Sequence, residues 1–196
     1  AVAQACDDLA REQVWLNAPR VEESETAADV TYSFRHALFR QVLYERTASA
    51  ARAQLHRKIA VVLERERGEA APVSAAELAN HFERAREPMA ALRYYAEAAD
   101  AAMSQFSPEA CKTITEHAAP LLEQVPSGPE RAALEITIRT LHGLAATRVV
   151  GAGAEAKAAL QRAYALLDEA PQHPVRGRLL HGFGFMLTLR GEYGEA

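Results

Sequence analysis

The chain has few of the residues on which a disulfide framework, a large β-sheet or a membrane span depends. Its two cysteines, Cys6 and Cys111, lie far apart and outside any CxxC pattern, which argues against a disulfide scaffold or a zinc site and favours reduced thiols. Aromatic residues make up only 7% of the sequence. No run of about eighteen apolar residues occurs, so we expect no membrane partner and a cytoplasmic location.

The chain is instead rich in alanine, which favours closely packed helices over a sheet. With 196 residues it is long enough for a sizeable core in one or two domains. It has no initiator methionine and no leader, and its last residues begin a helical pattern that the sequence does not complete. We therefore expect a fragment of a longer protein.

The charged residues are unevenly distributed. Residues 1–34 carry two basic and seven acidic side chains, whereas residues 35–67 carry eight basic and three acidic ones. A local positive excess of this kind is typical of one solvated helix face. It also fits contact with nucleic acid or with another anionic partner.

One short segment has a β-strand pattern. Residues 30–34 alternate and are rich in β-branched and aromatic side chains, so we predict a strand there. Residues 14–16 are the predicted partner in a small hairpin. The acidic residues 22–25 are predicted to lie in a structureless loop between the two.

Helices are predicted for most of the remaining chain, over 2–16, 36–46, 49–67, 130–148, 154–169 and 175–190. Ser74 followed by Glu77 is a capping box that opens a further helix. Pro88 and Pro108 fit the first turns of two others. Helices of this length joined by short proline and glycine turns predict an all-α fold.

Residues 71–196 carry the spacing of tetratricopeptide repeats, in which two helices form each hairpin. The clearest repeat has a first helix with Leu78, Ala79 and Phe82 and a second helix with Ala91, Tyr95 and Ala98. The second-helix spacing recurs at Ala156, Leu160 and Ala163. The first-helix spacing recurs at Phe183, Gly184 and Leu187, and Ala196 begins an incomplete second helix.

In this pattern the small residues lie where two helices touch and the large ones fill the gaps between them. One hairpin cannot bury its apolar face alone, so the hairpins are expected to stack into an α-solenoid. The concave face of such a solenoid binds a protein, a peptide or a small molecule.

Three motifs in order resemble the signal-transduction ATPases with numerous domains. Residues 32–45, YSFRHALFRQVLYE, resemble the end of the winged helix of the bacterial members of that family, and Leu-His-Arg at 55–57 follows. The third is LANHFERA at 78–85, followed by a helix that carries ALRYY and a pair of alanines. The resemblance runs from about residue 30 to the end of the chain.

The family places a nucleotide-binding ATPase module before the winged helix and a tetratricopeptide sensor array after it. The resemblance therefore implies that residues 1–70 are the C-terminal part of a winged-helix domain, with its short β-hairpin and connecting helix. Residues 71–196 are then the start of the sensor, truncated in its last repeat. No GxxxxGK motif occurs, so the chain itself is expected to be non-catalytic and to hold no cofactor, with ATP or ADP bound by the parent protein.

His36 is the sharpest candidate for a functional residue. Related ATPases keep a histidine between this strand and helix, and it contacts a phosphate of bound ADP. The resemblance therefore implies that His36 senses nucleotide phosphate in the parent protein, supported by Arg35 and Arg40. The alternative is a histidine that caps its own helix or packs in the hairpin.

Other chemistry finds little support in the sequence. Residues 151–156 match GxGxxA but follow a helix rather than a strand, so a helix–helix turn is the better interpretation. The remaining histidines are scattered singly, without the spacing of metal ligands. We expect neither a catalytic nor a metal site.

These observations favour a sensor segment of a transcriptional regulator, in which the repeats bind an effector and relay the event through the winged helix. The basic helix 49–67 is expected to contact the parent ATPase module. DNA is expected to be bound only by a domain of the parent protein that lies outside this chain. Two alternatives stay open: an interaction scaffold without a nucleotide switch, and the regulatory region of a nucleotide cyclase.

Overall fold

The computed structural model describes residues 2–12, 15–17, 20–23, 28–67, 74–192 and 194. The described part is mostly helical, which confirms the all-α class. Two compact units divide at Arg52 and Ala53. The first unit holds α1 (Val2–Glu12), β1 (Arg20–Glu23), β2 (Ala28–Thr31), α2 (Ala37–Arg46) and the first residues of α3 (Ser49–Glu66). The second holds the rest of α3, α4 (Ala75–Arg84), α5 (Pro88–Ser104), α6 (Pro108–Ala118), a 3-10 helix (Ala119–Gln124), α7 (Pro129–Val149), α8 (Ala154–Ala165) and α9 (Arg176–Arg190).

A β-hairpin lies in the first unit, but its strands differ from the prediction. β1 and β2 are antiparallel, with Val21 opposite Val30, so part of the acidic stretch predicted to be structureless is a strand. Of the pairing predicted between residues 14–16 and 30–34, the structure has one isolated antiparallel bridge, between Leu16 and Phe34. Two backbone hydrogen bonds form that bridge, from the Asn17 N–H to the Ser33 carbonyl at 2.9 Å and from the Arg35 N–H to the Trp15 carbonyl at 3.1 Å. Val14 of the predicted partner lies outside the described residues.

Local sequence signals mark the residues at which helices of the second unit begin. The Ser74 side chain accepts a hydrogen bond from the Glu77 N–H at 3.1 Å, which is the predicted cap of α4. Pro88 and Pro108 lie in the first turns of α5 and α6, where a missing N–H costs nothing. These helix starts follow the prediction because each depends on only two to four neighbouring residues.

The second unit includes most of α3, whereas the sequence suggested a boundary after residue 70. His56 and Ala60 of α3 are buried, and Leu63 packs against the main core with Phe82 of α4 and Leu92 of α5. The compact unit therefore begins inside a continuous helix, since one face of α3 supplies part of this core. The domain boundary predicted after residue 70 stays a prediction.

From α4 onward, each helix packs against the next one in the chain. In addition, α5 contacts α7 and α7 contacts α9, so these three helices lie side by side in one row. The sequence assigned α5 to a second-helix position and α9 to a first-helix position. That assignment of helix positions stays a prediction.

Candidate functional site

The strand-to-helix junction of the first unit holds the three residues predicted to sense nucleotide. His36 is the N-cap of α2, with extended backbone angles and an exposed side chain that makes no capping hydrogen bond. Its ring lies edge-on to Phe39 at 5.5 Å, and Phe39 in turn lies 4.9 Å from the Trp15 ring. Arg35 and Arg40 are exposed, and the Arg35 N–H donates to the Trp15 carbonyl at 3.1 Å. The junction thus presents basic side chains beside the amino end of a helix.

A second candidate site is a cavity of about 350 Å³ on the row formed by α5, α7 and α9. Its apolar lining comes from Met103 of α5, Leu144 of α7, and Gly182 and Phe185 of α9. Ser104 and Thr147 add hydroxyl groups and Arg148, Arg178 and His181 add basic ones. Among the described residues that line this cavity, none is acidic. We call it the cationic cavity.

The cationic cavity borders a second cavity of about 500 Å³ lined by residues of α5, α7 and the segment before α9. Arg178 lines both. Its Nη1 lies 2.6 Å from Oδ1 of Asp100, which lines only the second cavity. The ion pair therefore separates a basic cavity from one that contains Glu97 and Asp100.

Close helix contact beside the cationic cavity depends on glycine. Gly182 of α9 is buried, and a Cβ built on it would overlap Cδ2 of Leu144 in α7. The sequence pattern assigned a small contact residue of this helix to Gly184. Gly184 is half-buried, and a Cβ built on it meets no atom within 4 Å. The contact with α7 is therefore made at Gly182, and a packing role for Gly184 stays a prediction.

Most of the other residues predicted to pack between helices are buried. Phe183 is only partly buried, although it packs against the core of α8 and α9. Ala196 lies outside the described residues. Those with less than a tenth of their surface exposed are Leu78, Ala79, Phe82, Ala91, Tyr95, Ala98, Ala156, Leu160, Ala163 and Leu187.

The histidines that looked isolated in the sequence include a contacting pair. His56 Nδ1 and His81 Nδ1 lie 3.0 Å apart between α3 and α4, so one ring donates and the other accepts. Burial lowers the pKa of His81, which favours its neutral form, and the ring that accepts in this contact must be neutral. Among the described residues no group of three or more His, Cys, Asp or Glu side chains is placed to hold a metal ion.

Sequence patterns did not predict Arg148 and Arg178 as site residues. The spacing that signals Arg178 is on α9, where Arg178, His181, Gly182 and Phe185 follow one helical face. No periodicity within one helix shows that Arg148 of α7 lies at the same cavity. The cavity depends on how α7 and α9 are packed.

No protein-family model, no curated protein and no solved structure matches this chain. In the part of the chain that the structure describes, no helix combines the length and the apolar character that crossing a membrane requires.

Proposed function

We propose that the chain is the sensor segment of a multidomain ATPase-type transcriptional regulator. In this proposal α4–α9 are hairpins of the tetratricopeptide kind and bind an effector or protein partner. The residues before them are the end of a winged helix that relays binding to the parent's nucleotide module. Three sequence motifs in family order support the assignment, and the row of α5, α7 and α9 supports a repeat-like array.

One observation carries the binding role, namely the cationic cavity between α5, α7 and α9. It joins residues from three helices, and its volume of about 350 Å³ falls within the range of about 300–1,000 Å³ typical of small-molecule sites. A ligand there would contact all three helices at once. Its binding energy would therefore depend on their spacing, which is the property that a sensor needs.

The outer face of α3 supports contact with a further module. Leu55, Ile59 and Val62 follow one stripe of this helix and are 54%, 42% and 42% exposed. The adjacent stripe, with His56 and Ala60, is buried, and Ala60 belongs to the core of the second unit. We infer that this exposed apolar stripe is a contact surface, and the parent ATPase module is the partner proposed for it.

The test begins with the reading frame upstream of Ala1 in the parent gene. We expect a strand followed by GxxxxGK and Ser or Thr, and then an acidic strand that binds magnesium. In that parent protein His36→Ala is expected to speed release of bound ADP, measured with a fluorescent ADP analogue. His117→Ala is the control, because His117 lies in the second unit and pairs with Glu83.

An upstream region without a nucleotide-binding motif would contradict the switch. It would favour the interaction scaffold, for which the exposed α3 stripe is equally suitable. A cyclase domain in the same frame would favour the regulatory region of a nucleotide cyclase.

A further inference from the structure

We propose that the cationic cavity binds a small amphipathic anion, with one oxyanion group held by Arg148 and His181 and an apolar body lying against Met103, Leu144 and Phe185. This inference rests on the proposed sensor function and names the chemical class of its effector. It commits to a small molecule rather than a macromolecule.

The basic groups of the cavity are poorly neutralised from within the chain. The Arg148 guanidinium is exposed, and its one hydrogen-bond acceptor among the described residues is the sulfur of Met103, at 3.7 Å. A thioether is a weak acceptor, whereas a guanidinium fork matches a carboxylate or phosphate in two parallel hydrogen bonds. His181 also lines the cavity and is exposed on the adjacent helix. An oxyanion between α7 and α9 would satisfy both.

The remaining lining favours an apolar body attached to that oxyanion. Met103 and Leu144 face the cavity from α5 and α7, and Phe185 is 56% exposed on α9. Covering an exposed phenyl ring removes apolar surface from water, which is favourable. A free inorganic anion would leave that ring exposed. The lining therefore selects an acid with a hydrocarbon or aromatic body.

Asp100 limits the positive charge of the cavity. Its carboxylate lies 2.6 Å from the Arg178 guanidinium, so one of the two arginines of the cavity is already paired when the cavity is empty. Removing the carboxylate charge would leave Arg178 free to meet the ligand. The structure therefore predicts a variant that binds an anion more tightly, an outcome that damage to the fold cannot produce.

The experiment measures, by titration calorimetry, the affinity of the 196-residue chain for 4-phenylbutyrate and for its neutral isostere 4-phenylbutanamide. We expect the acid to bind at least about tenfold more tightly than the amide, the factor associated with a charge-assisted hydrogen bond. Arg148→Gln and His181→Gln are each expected to weaken binding of the acid about tenfold. Asp100→Asn is expected to strengthen it several-fold.

Arg176→Gln is the matched control, because Arg176 is exposed on α9 and does not line the cavity. Equal affinity for acid and amide would overturn the proposal, as would equal effects of Arg148→Gln and Arg176→Gln or weaker binding by Asp100→Asn. Failure of the acid to bind at a concentration of about 10 mM would also overturn the proposal. A site with a dissociation constant above about 10 mM gains too little free energy on binding to be specific. Thermal unfolding of each variant verifies the fold.

The two proposals fail in different measurements. Binding of phenylbutyrate is measured on this chain, whereas the nucleotide switch is tested in the parent sequence and in its ADP release. A parent without a nucleotide module would remove the switch and leave the anion preference intact. A cavity indifferent to charge would remove the ligand class and leave the switch intact.

Discussion

Asp100 and Arg178 form an ion pair of 2.6 Å across positions 78 residues apart in sequence. The pair joins α5 to α9, although the helix between them in the row is α7. Both side chains are about half exposed, so water screens the attraction and the pair contributes no more than about 1 kcal/mol to stability. Its importance is positional, because it holds a cation at the border of two cavities.

Gly143 should be intolerant of a side chain. A Cβ at this position of α7 would lie 2.5 Å from Cγ of Leu160, which is fully buried in α8, and 3.2 Å from the Ala156 carbonyl oxygen. We expect Gly143→Ala to lower the free energy of unfolding by about 1–3 kcal/mol, as overpacking does. Urea unfolding followed by circular dichroism measures the change.

Gly184→Ala is the matched control in α9. A Cβ there meets nothing within 4 Å, and alanine is the better helix former by up to about 1 kcal/mol. We expect this variant to be as stable as the wild type or more stable. A loss at residue 184 equal to that at 143 would contradict the assignment of the close helix contacts.

Glu135 is a buried carboxylate that organises several arginines. Its Oε1 accepts from Arg162 Nε at 2.8 Å, and Arg131 and Arg139 each lie 3.9 Å away on the same helix. Only 6% of the Glu135 side chain is exposed. We expect Glu135→Gln to cost about 1–3 kcal/mol of unfolding free energy, because a charged acceptor is lost while the arginines stay in place.

A surface ion pair on the neighbouring helices gives the comparison. Arg93 and Glu130 pair between α5 and α7, with 59% and 50% of their side chains exposed. Arg93→Gln is expected to change stability by less than about 0.5 kcal/mol, since exposed pairs are screened. Equal losses in the two variants, measured by the same urea unfolding, would show that burial does not set the importance of Glu135.

Three partly buried histidines should make the fold sensitive to mild acid. Burial lowers the pKa of His81, His142 and His173 below the ordinary value. In the unfolded chain these histidines have the ordinary pKa of about 6.5. Below that pH the unfolded chain therefore binds more protons than the folded chain does. The stability contribution is therefore complete above about pH 6.5 and is lost as the pH falls below it.

Unfolding midpoints in urea at several pH values between about 8 and 5 measure this loss. His81→Gln is expected to reduce the slope of stability against pH, because one titrating group disappears. The carboxylates of Glu83 and Glu155, whose pKa values are lowered by hydrogen bonds and ion pairs, lose their contribution only at more acidic pH. A flat stability profile from pH 8 to about 5 would contradict the histidine assignment.

The two cysteines should differ in reactivity. Cys111 is fully buried in α6, and burial raises the pKa of its thiol to about 11, so very little thiolate forms at neutral pH. Cys6 is partly exposed on α1. We expect a chromogenic disulfide reagent to label one thiol quickly in the native chain and two in denaturant. Rapid labelling of both in the native chain would show that α6 opens readily.

The helix pattern followed from the sequence wherever a few adjacent residues decide it. Ser74 with Glu77, Pro88 and Pro108 marked helix starts that the structure has, since caps and first turns depend on neighbours in the chain. The buried positions Leu78, Ala91 and Leu160 followed from helical spacing for the same reason. The strand β1 did not, because pairing with a partner strand overrode an acidic composition.

The sequence by itself thus determined the helical class, the places where helices begin and the faces that are buried. Only the tertiary structure decided which helices share a row and that Gly182 lies at the contact between α7 and α9. It also brought Arg148 and His181 from α7 and α9 to one cavity. The physical reason is range: helix caps and periodicity act over a few residues, whereas cavities and ion pairs such as Asp100–Arg178 depend on how distant helices pack.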